Sequence, residues 1–88
     1  MLRLWAREYA DGRMIADVVA EDDSDRRRTQ KIFSCLDEVC VKLDLQKPIW
    51  LDKLVLEFQR TSRTRFYQDS FIEEIPFDYL EIQVIEDD

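Results

Sequence analysis

LRLWAREYADGRMIADVVAE, residues 2–21, predicts a β-hairpin. Its centre is Asp11-Gly12, and this dipeptide favours the type I′ turn, in which both central residues need φ > 0. The turn also holds the only glycine of the chain. Regular pairing from a two-residue turn places Trp5 opposite Val18. Both faces carry apolar residues, so the pattern leaves open which one is buried, and a one-residue shift in register would exchange them.

An acidic turn, Glu21–Asp25, follows the hairpin and leads into the main predicted helix, about residues 24–44. Ser24, or one of the neighbouring aspartates, is a candidate N-cap, and Pro48 ends the element soon after its last turn. Cys35 and Cys40 lie about 140° apart around a helix axis, so they are predicted to be buried thiols and not a disulfide. The apolar residues follow helical spacing: Ile32, Phe33, Leu36, Val39, Cys40 and Leu43.

The rest of the chain predicts a short strand at 48–51, an ambiguous segment at about 52–61, and strands at Thr64–Gln68 and Asp78–Glu86. Residues 52–61 fit either a helix or a strand, and the polar residues that follow favour a short second helix. The predicted order is ββαβ(α)ββ, in one small α+β domain spanning residues 1–88. Its sheet would have four to five antiparallel or mixed strands packed by the main helix.

The composition excludes several classes of function. There is no histidine among the 88 residues, which removes Ser-His and Cys-His catalysis and the commonest zinc ligand. A single glycine excludes Gly-rich phosphate loops, and no cofactor is expected. No apolar run is long enough for a membrane span, so we expect a cytoplasmic protein. The net charge of -7 opposes binding to nucleic acid and to anionic membranes.

Two charged clusters in the C-terminal third suggest alternative functions. Arg60, Arg63 and Arg65 precede Phe66 and Tyr67, a combination that can bind single-stranded nucleic acid, although salt links to the acidic C-terminal stretch explain it more simply. A small metal-dependent enzyme is the other alternative, with clustered carboxylates as ligands. Those candidate metal ligands are Asp69, Glu73, Glu74 and Asp78.

The leading interpretation is a non-enzymatic protein-interaction or regulatory module with an acidic surface. It follows from the excess of apolar residues on the hairpin together with the lack of catalytic equipment, because interfaces are enriched in aromatic residues and arginine. The partner would be another protein or a second copy, as in a homodimer. The candidate contact residues are Trp5, Trp50, Arg60, Arg63, Arg65 and Tyr67.

Three segments carry a resemblance to a known family: Trp50-Leu51-Asp52-Lys53, Thr64-Arg65-Phe66, and residues 71–82 from Phe71-Ile72-Glu73 to Leu80-Glu81-Ile82. They resemble a small bacterial protein family of uncharacterised function, and the resemblance covers essentially the whole chain. It implies a bacterial cytoplasmic protein, and it implies no activity, cofactor or catalytic residue.

Overall fold

The computed structural model describes residues 1–87 as an α+β fold with an N-terminal hairpin. Its sheet is four-stranded and antiparallel, in the order β2-β1-β4-β3, so the first and last strands lie side by side at its centre. A short 3₁₀ turn, Gln68–Ser70, separates β3 from β4. The elements are β1 Leu2–Ala10, β2 Arg13–Asp22, α1 Arg28–Lys42, α2 Asp52–Thr61, β3 Arg63–Phe66 and β4 Tyr79–Asp87.

One face of the sheet packs against both helices, and the core lies between these two layers. It contains Leu4 and Ala6 from β1, Leu80 and Ile82 from β4, and Phe66 from β3, together with the apolar stripes of the helices. Because side chains alternate along each strand, the intervening residues lie on the opposite side, which we call the open face. It carries Arg3, Trp5, Arg7, Tyr9, Asp17, Val19, Arg63, Arg65, Tyr79, Glu81 and Gln83.

The hairpin has the predicted turn, but its predicted register is wrong beyond Tyr9. Asp11 and Gly12 both have positive φ, 54° and 76°, as a type I′ turn requires. A bulge then leaves Ile15 without an opposing residue, so Trp5 pairs with Val19 and not with Val18. The shift places Val18 and Ala20 on the core side, and Trp5 lies on the open face.

Helix α1 begins four residues later than predicted, at Arg28, with Arg27 as its N-cap and not Ser24. The acidic turn is held outside the helix because Asp22 accepts a hydrogen bond from the Ser24 backbone N–H, at 2.9 Å. Hydrogen bonds from Ser24, and then Arg26, lower the pKa of Asp22. At the helix start, Gln30 accepts the Arg27 backbone N–H, at 3.2 Å.

The buried face of α1 agrees with the predicted stripe except at its edges. Ile32, Leu36 and Val39 are buried together with both cysteines, which are free thiols. Phe33, which was predicted to belong to the stripe, is half exposed and packs edge-on against Trp50. On the outer side of the helix Glu38 and Lys42 form an ion pair, with 3.0 Å between the carboxylate and the ammonium nitrogen.

The middle of the chain contains a helix and no additional strand. Residues 48–51 were predicted as a short strand, and this prediction is wrong: they have no strand partner, and the Ile49 N–H donates to the Ser70 carbonyl at 2.7 Å. The predicted short helix is confirmed as α2, and its C-cap Ser62 takes the left-handed conformation, with φ 58°, that turns the chain directly into β3. Helix α2 and strand β3 therefore lie side by side at one edge of the sheet.

Candidate functional site

The predicted salt link between the arginine cluster and the acidic C-terminal stretch is confirmed at Arg65. This residue lies opposite Glu81 on the neighbouring strand, and its Nε is 3.0 Å from the carboxylate. Glu81 also binds a second arginine, Arg7, at 2.7 Å from the other side. Tyr67, and then Glu81, raise the pKa of Arg65 above its ordinary value, so the guanidinium stays charged.

Two members of this ion cluster, Arg7 and Glu81, are buried even though they lie on the open face, whereas Arg65 is half exposed. The side chains of Arg7 and Glu81 are only 11% and 6% exposed. Gln83 accepts a further hydrogen bond from Arg7, at 2.9 Å, and the guanidinium stacks on the Trp5 ring, 3.9 Å from its centroid. The Nε of Arg7 has no hydrogen-bond partner within residues 1–87. The surrounding side chains therefore form a packed, rigid centre for the open face.

Aromatic rings lie beside the cluster towards the hairpin turn. Tyr9 and Tyr79 stack with their centroids 5.1 Å apart, and Tyr67 packs against Tyr79 at 5.3 Å. Arg65 lies over the Tyr79 ring, at 4.6 Å. Tyr67, at the end of the row, is 45% exposed. The row leads from the centre of the open face to the β3 edge of the sheet.

Strand β3 has an unpaired outer edge, and the hydrogen bonds around it show which backbone groups point outwards. The Val84 N–H donates to the Ser62 carbonyl, at 2.9 Å. Because pairing groups alternate along an antiparallel ladder, Thr64 also pairs with β4, whereas Arg63 and Arg65 direct their N–H and C=O groups away from it. In agreement, the Thr61 hydroxyl donates to the Arg63 carbonyl from the outer side, at 2.9 Å.

A groove of about 520 Å³, here called the β3 groove, runs between this edge and α2. Leu54 and Thr64 are the buried members of its lining. Glu57 spans the groove, because one of its oxygens accepts the Thr64 hydroxyl at 2.6 Å. The lining residues are Lys53, Leu54, Glu57, Thr61, Arg63, Thr64, Arg65 and Tyr67.

The rim of the β3 groove is basic, although the chain as a whole is acidic. Arg63 has no side-chain partner within residues 1–87, and Lys53 has only a distant exposed contact with Asp69, at 3.9 Å. Arg60 is also unpartnered in this part of the chain, and it lies within about 20° of Lys53 around the axis of α2. Three of the six predicted contact residues, Arg63, Arg65 and Tyr67, line the groove, and Arg60 flanks it.

The two tryptophans occupy different environments. Trp5 lies on the open face, and its Nε1 donates to Asp17 at 3.0 Å. Trp50 packs edge-on against Phe58 and Phe66, with centroids 5.5 and 4.9 Å away. Trp50 also lines a smaller cavity of about 160 Å³ between α1 and α2, and its buried Nε1 is without a partner within residues 1–87.

Of the predicted metal ligands, Asp69 and Asp78 have separate surroundings in the structure, and Glu73 and Glu74 are exposed. Asp78 accepts the Asp11 backbone N–H at 2.9 Å, and Asp69 lies near Lys53. Within residues 1–87, no group of three or more Asp, Glu, Cys or His side chains is placed to hold a metal ion. The cysteines are confirmed as buried residues, and desolvation raises the pKa of each thiol to about 11.

One carboxylate, that of Glu8, lies on the core face of the sheet. Glu8 is 9% exposed, lies between Ala16 and Leu80 in the sheet, and has no hydrogen bond or ion pair within residues 1–87. Burial raises the pKa of Glu8 above its usual value of 4.5, because desolvation disfavours the charged form.

We expect Glu8→Gln to be more stable than the wild type at neutral pH. The native state binds the Glu8 proton more tightly than the unfolded state, so the stabilisation is present at low pH and is lost as pH rises through the raised pKa. Urea unfolding between acidic and neutral pH would show this descending step in the wild type and not in the variant. Glu74→Gln, at an exposed position, is the control; parallel pH profiles for Glu8→Gln and the wild type would contradict the prediction.

Two features of the site were not found from the sequence: the pairing of Arg7 with Glu81, and the groove itself. Arg7 and Glu81 are 74 positions apart, and only the pairing of β1 with β4 brings them together. The groove depends on the left-handed Ser62, which places α2 alongside β3. The alternating R-T-R-F pattern of β3 was a usable signal, since it predicts arginines on the face opposite Thr64 and Phe66.

No protein-family model, no curated protein and no solved structure matches the chain. The resemblance to a bacterial family therefore stays a prediction.

Within residues 1–87, neither helix has the length and the apolar composition needed to cross a lipid bilayer.

Proposed function

We propose that this protein is a non-enzymatic protein-binding module that receives an extended segment of its partner as an added strand beside β3. The observation that carries the proposal is the outer edge of β3, where the backbone groups of Arg65 point away from β4 and Arg65 lines the β3 groove. Peptide-binding domains that use strand addition take their affinity from such main-chain groups and their specificity from the flanking side chains.

The shape of the groove supports an extended occupant. Helix α2 forms the opposite wall, so a strand paired with β3 would have its alternate side chains against Leu54 and Thr64. The wall is already ordered, since Leu54 and Phe58 anchor α2 in the core and the Thr61 hydroxyl fixes the turn into β3. A partner would therefore meet a largely preformed site, which limits the entropy lost on binding.

The open face supports a role in binding as well. Its aromatic row ends at Tyr67, which also lines the β3 groove, so a partner strand beside β3 would extend the sheet next to this ring. Aromatic residues and arginine are enriched at the centres of protein interfaces. Because the Glu81 cluster holds Arg7 and Arg65 in place, little side-chain ordering remains for binding to complete.

The test is a comparison of two variants, Arg65→Pro and Arg65→Ala. Both remove the guanidinium, but only proline removes the outward N–H, and proline is tolerated on edge strands where that group makes no ladder bond. Short random-sequence linear peptides would be selected on the immobilised wild-type protein, and the affinities of the selected peptides would then be measured by fluorescence anisotropy. Circular dichroism of both variants would control for folding.

We expect Arg65→Pro to bind the selected peptides about tenfold or more weakly than Arg65→Ala, because an unmet backbone acceptor in the peptide costs about 1–3 kcal/mol. Equal affinities for the two folded variants would overturn strand addition at β3. Failure of the wild type to select any peptide would overturn the proposed function as a whole.

A further inference from the structure

We infer that the segment accepted by the β3 groove is acidic, an inference that rests on the proposed function. The groove lies in a chain of net charge -7, yet its rim carries Lys53, Arg63 and Arg65, with Arg60 beside them. Of these four cations, Arg60 and Arg63 have no side-chain partner within residues 1–87, so their charges are available to an incoming carboxylate.

The cations of the groove outnumber its acids, because the lining within residues 1–87 holds Lys53, Arg63 and Arg65 against Glu57 alone. Glu57 accepts the Thr64 hydroxyl at 2.6 Å, and Glu81 lies on the open face between Arg7 and Arg65. An occupant therefore meets an excess of positive charge along the strand edge. Carboxylates at alternate positions of the added strand would lie on the same side as Arg63 and Arg65, because cross-strand neighbours share a face.

The same charges argue against a second copy paired through β3. Two β3 edges related by a twofold axis would bring Arg63 and Arg65 of one copy against those of the other, and like charges directly opposite each other are destabilising. The charge pattern discourages self-association of this edge and selects an occupant of opposite sign.

The experiment uses three end-blocked synthetic peptides in which threonine alternates with glutamate, with serine or with lysine. Affinities for the wild type would be measured by fluorescence anisotropy at low and physiological salt. We expect the glutamate peptide to bind most tightly, the serine peptide next and the lysine peptide most weakly. At low salt the glutamate peptide should bind about tenfold more tightly than the serine peptide, and this difference in affinity should shrink as salt screens the exposed charges.

Two variants locate the effect. Arg60→Gln and Arg63→Gln should each weaken binding of the glutamate peptide about threefold to fivefold and leave the affinity for the serine peptide unchanged. A loss of this size is expected for an exposed ion pair. Arg13→Gln removes an exposed arginine at the end of the hairpin, away from the groove, and is the matched control. An equal loss of affinity for the glutamate peptide in Arg13→Gln would show a general effect of net charge and overturn the inference.

Other outcomes separate the inference from the proposed function. If the serine and glutamate peptides bind equally, and both bind Arg65→Pro more weakly than Arg65→Ala, strand addition stands and the acidic occupant is wrong. If single-stranded oligothymidylate binds as tightly as the glutamate peptide, the occupant of the groove is nucleic acid and the inference of an acidic protein segment is wrong. Concentration-dependent self-association that Arg65→Pro abolishes and Arg65→Ala retains, measured by light scattering without peptide, would make a second copy the occupant and also overturn the inference.

Discussion

Glu81→Ala is expected to lower the free energy of unfolding by about 3 kcal/mol, because it leaves the guanidinium of Arg7 buried without its counter-charge. The Arg7 side chain is 11% exposed, and its remaining contacts are Gln83 and the Trp5 ring. The loss should lower Tm by more than about 10 °C in a domain of this size. For this variant and its control, urea unfolding followed by tryptophan fluorescence would measure the free energy of unfolding, and thermal unfolding would measure Tm.

Glu86→Ala is the matched control, since Glu86 lies on the same strand and faces Arg3 across an exposed contact of 3.4 Å. An exposed pair of this kind contributes less than about 1 kcal/mol. Equal destabilisation by Glu81→Ala and Glu86→Ala would mean that the buried charge cluster contributes no more to the free energy of unfolding than an exposed ion pair.

A double variant separates the lost attraction from the cost of an unpaired buried charge. Arg7→Leu combined with Glu81→Leu removes both charges, and replacing a buried ion pair by apolar side chains is often neutral or stabilising. We expect the double variant to lose less than about half of the free energy of unfolding that Glu81→Ala loses. A larger loss would show that the hydrogen bonds of the cluster matter more than its charge balance.

Phe66→Ala is the second substitution with a large expected effect, a loss of about 3–5 kcal/mol. Phe66 is fully buried, packs edge-on against Trp50 at 4.9 Å, and is the last residue of the four-residue strand β3. Against a total stability of about 4–13 kcal/mol for 88 residues, this loss leaves little margin. The midpoint of urea unfolding would measure this loss of stability, and near-ultraviolet circular dichroism would report the packing around Trp50.

Tyr67→Ala tests whether the Phe66 effect comes from burial and not from aromatic content in general. Tyr67 is the adjacent residue and is 45% exposed, so its truncation should cost about 1 kcal/mol through lost contacts with Tyr79. Phe66→Leu should retain most of the stability. Comparable losses from Phe66→Ala and Tyr67→Ala would contradict the assignment of Phe66 to the core.

Elements with a strong local signal could be predicted from the sequence. The Asp11-Gly12 turn defines its hairpin because few dipeptides accept two positive φ angles, and the stripe of α1 follows a helical period over several turns. The bulge at Ile15 has no such signal, since no glycine or proline marks it. As a result, the pairing of Trp5 was wrong by one residue.

Non-local geometry explains what the sequence did not show at the site. The link between Arg65 and the acidic stretch was predictable from charge alone, whereas the burial of Glu81 required Arg7 from the opposite end of the chain. The segment at 48–51 has the apolar content of a strand, but its backbone bonds to the start of α2 and to Ser70, and not to a neighbouring strand. Whether such a segment forms a strand depends on where its neighbours lie.

The adjacency of β1 and β4 at the centre of the sheet also constrains the order in which the fold can form. During synthesis the hairpin and both helices are made well before β4, and until then β1 has only β2 as a strand partner. Contacts such as the one between Arg7 and Glu81 close a loop of 74 positions, and long loops of this kind slow folding. The sheet is therefore completed only after β4 has been synthesised, and until then one edge of β1 has no strand partner, the kind of edge that can pair with another chain.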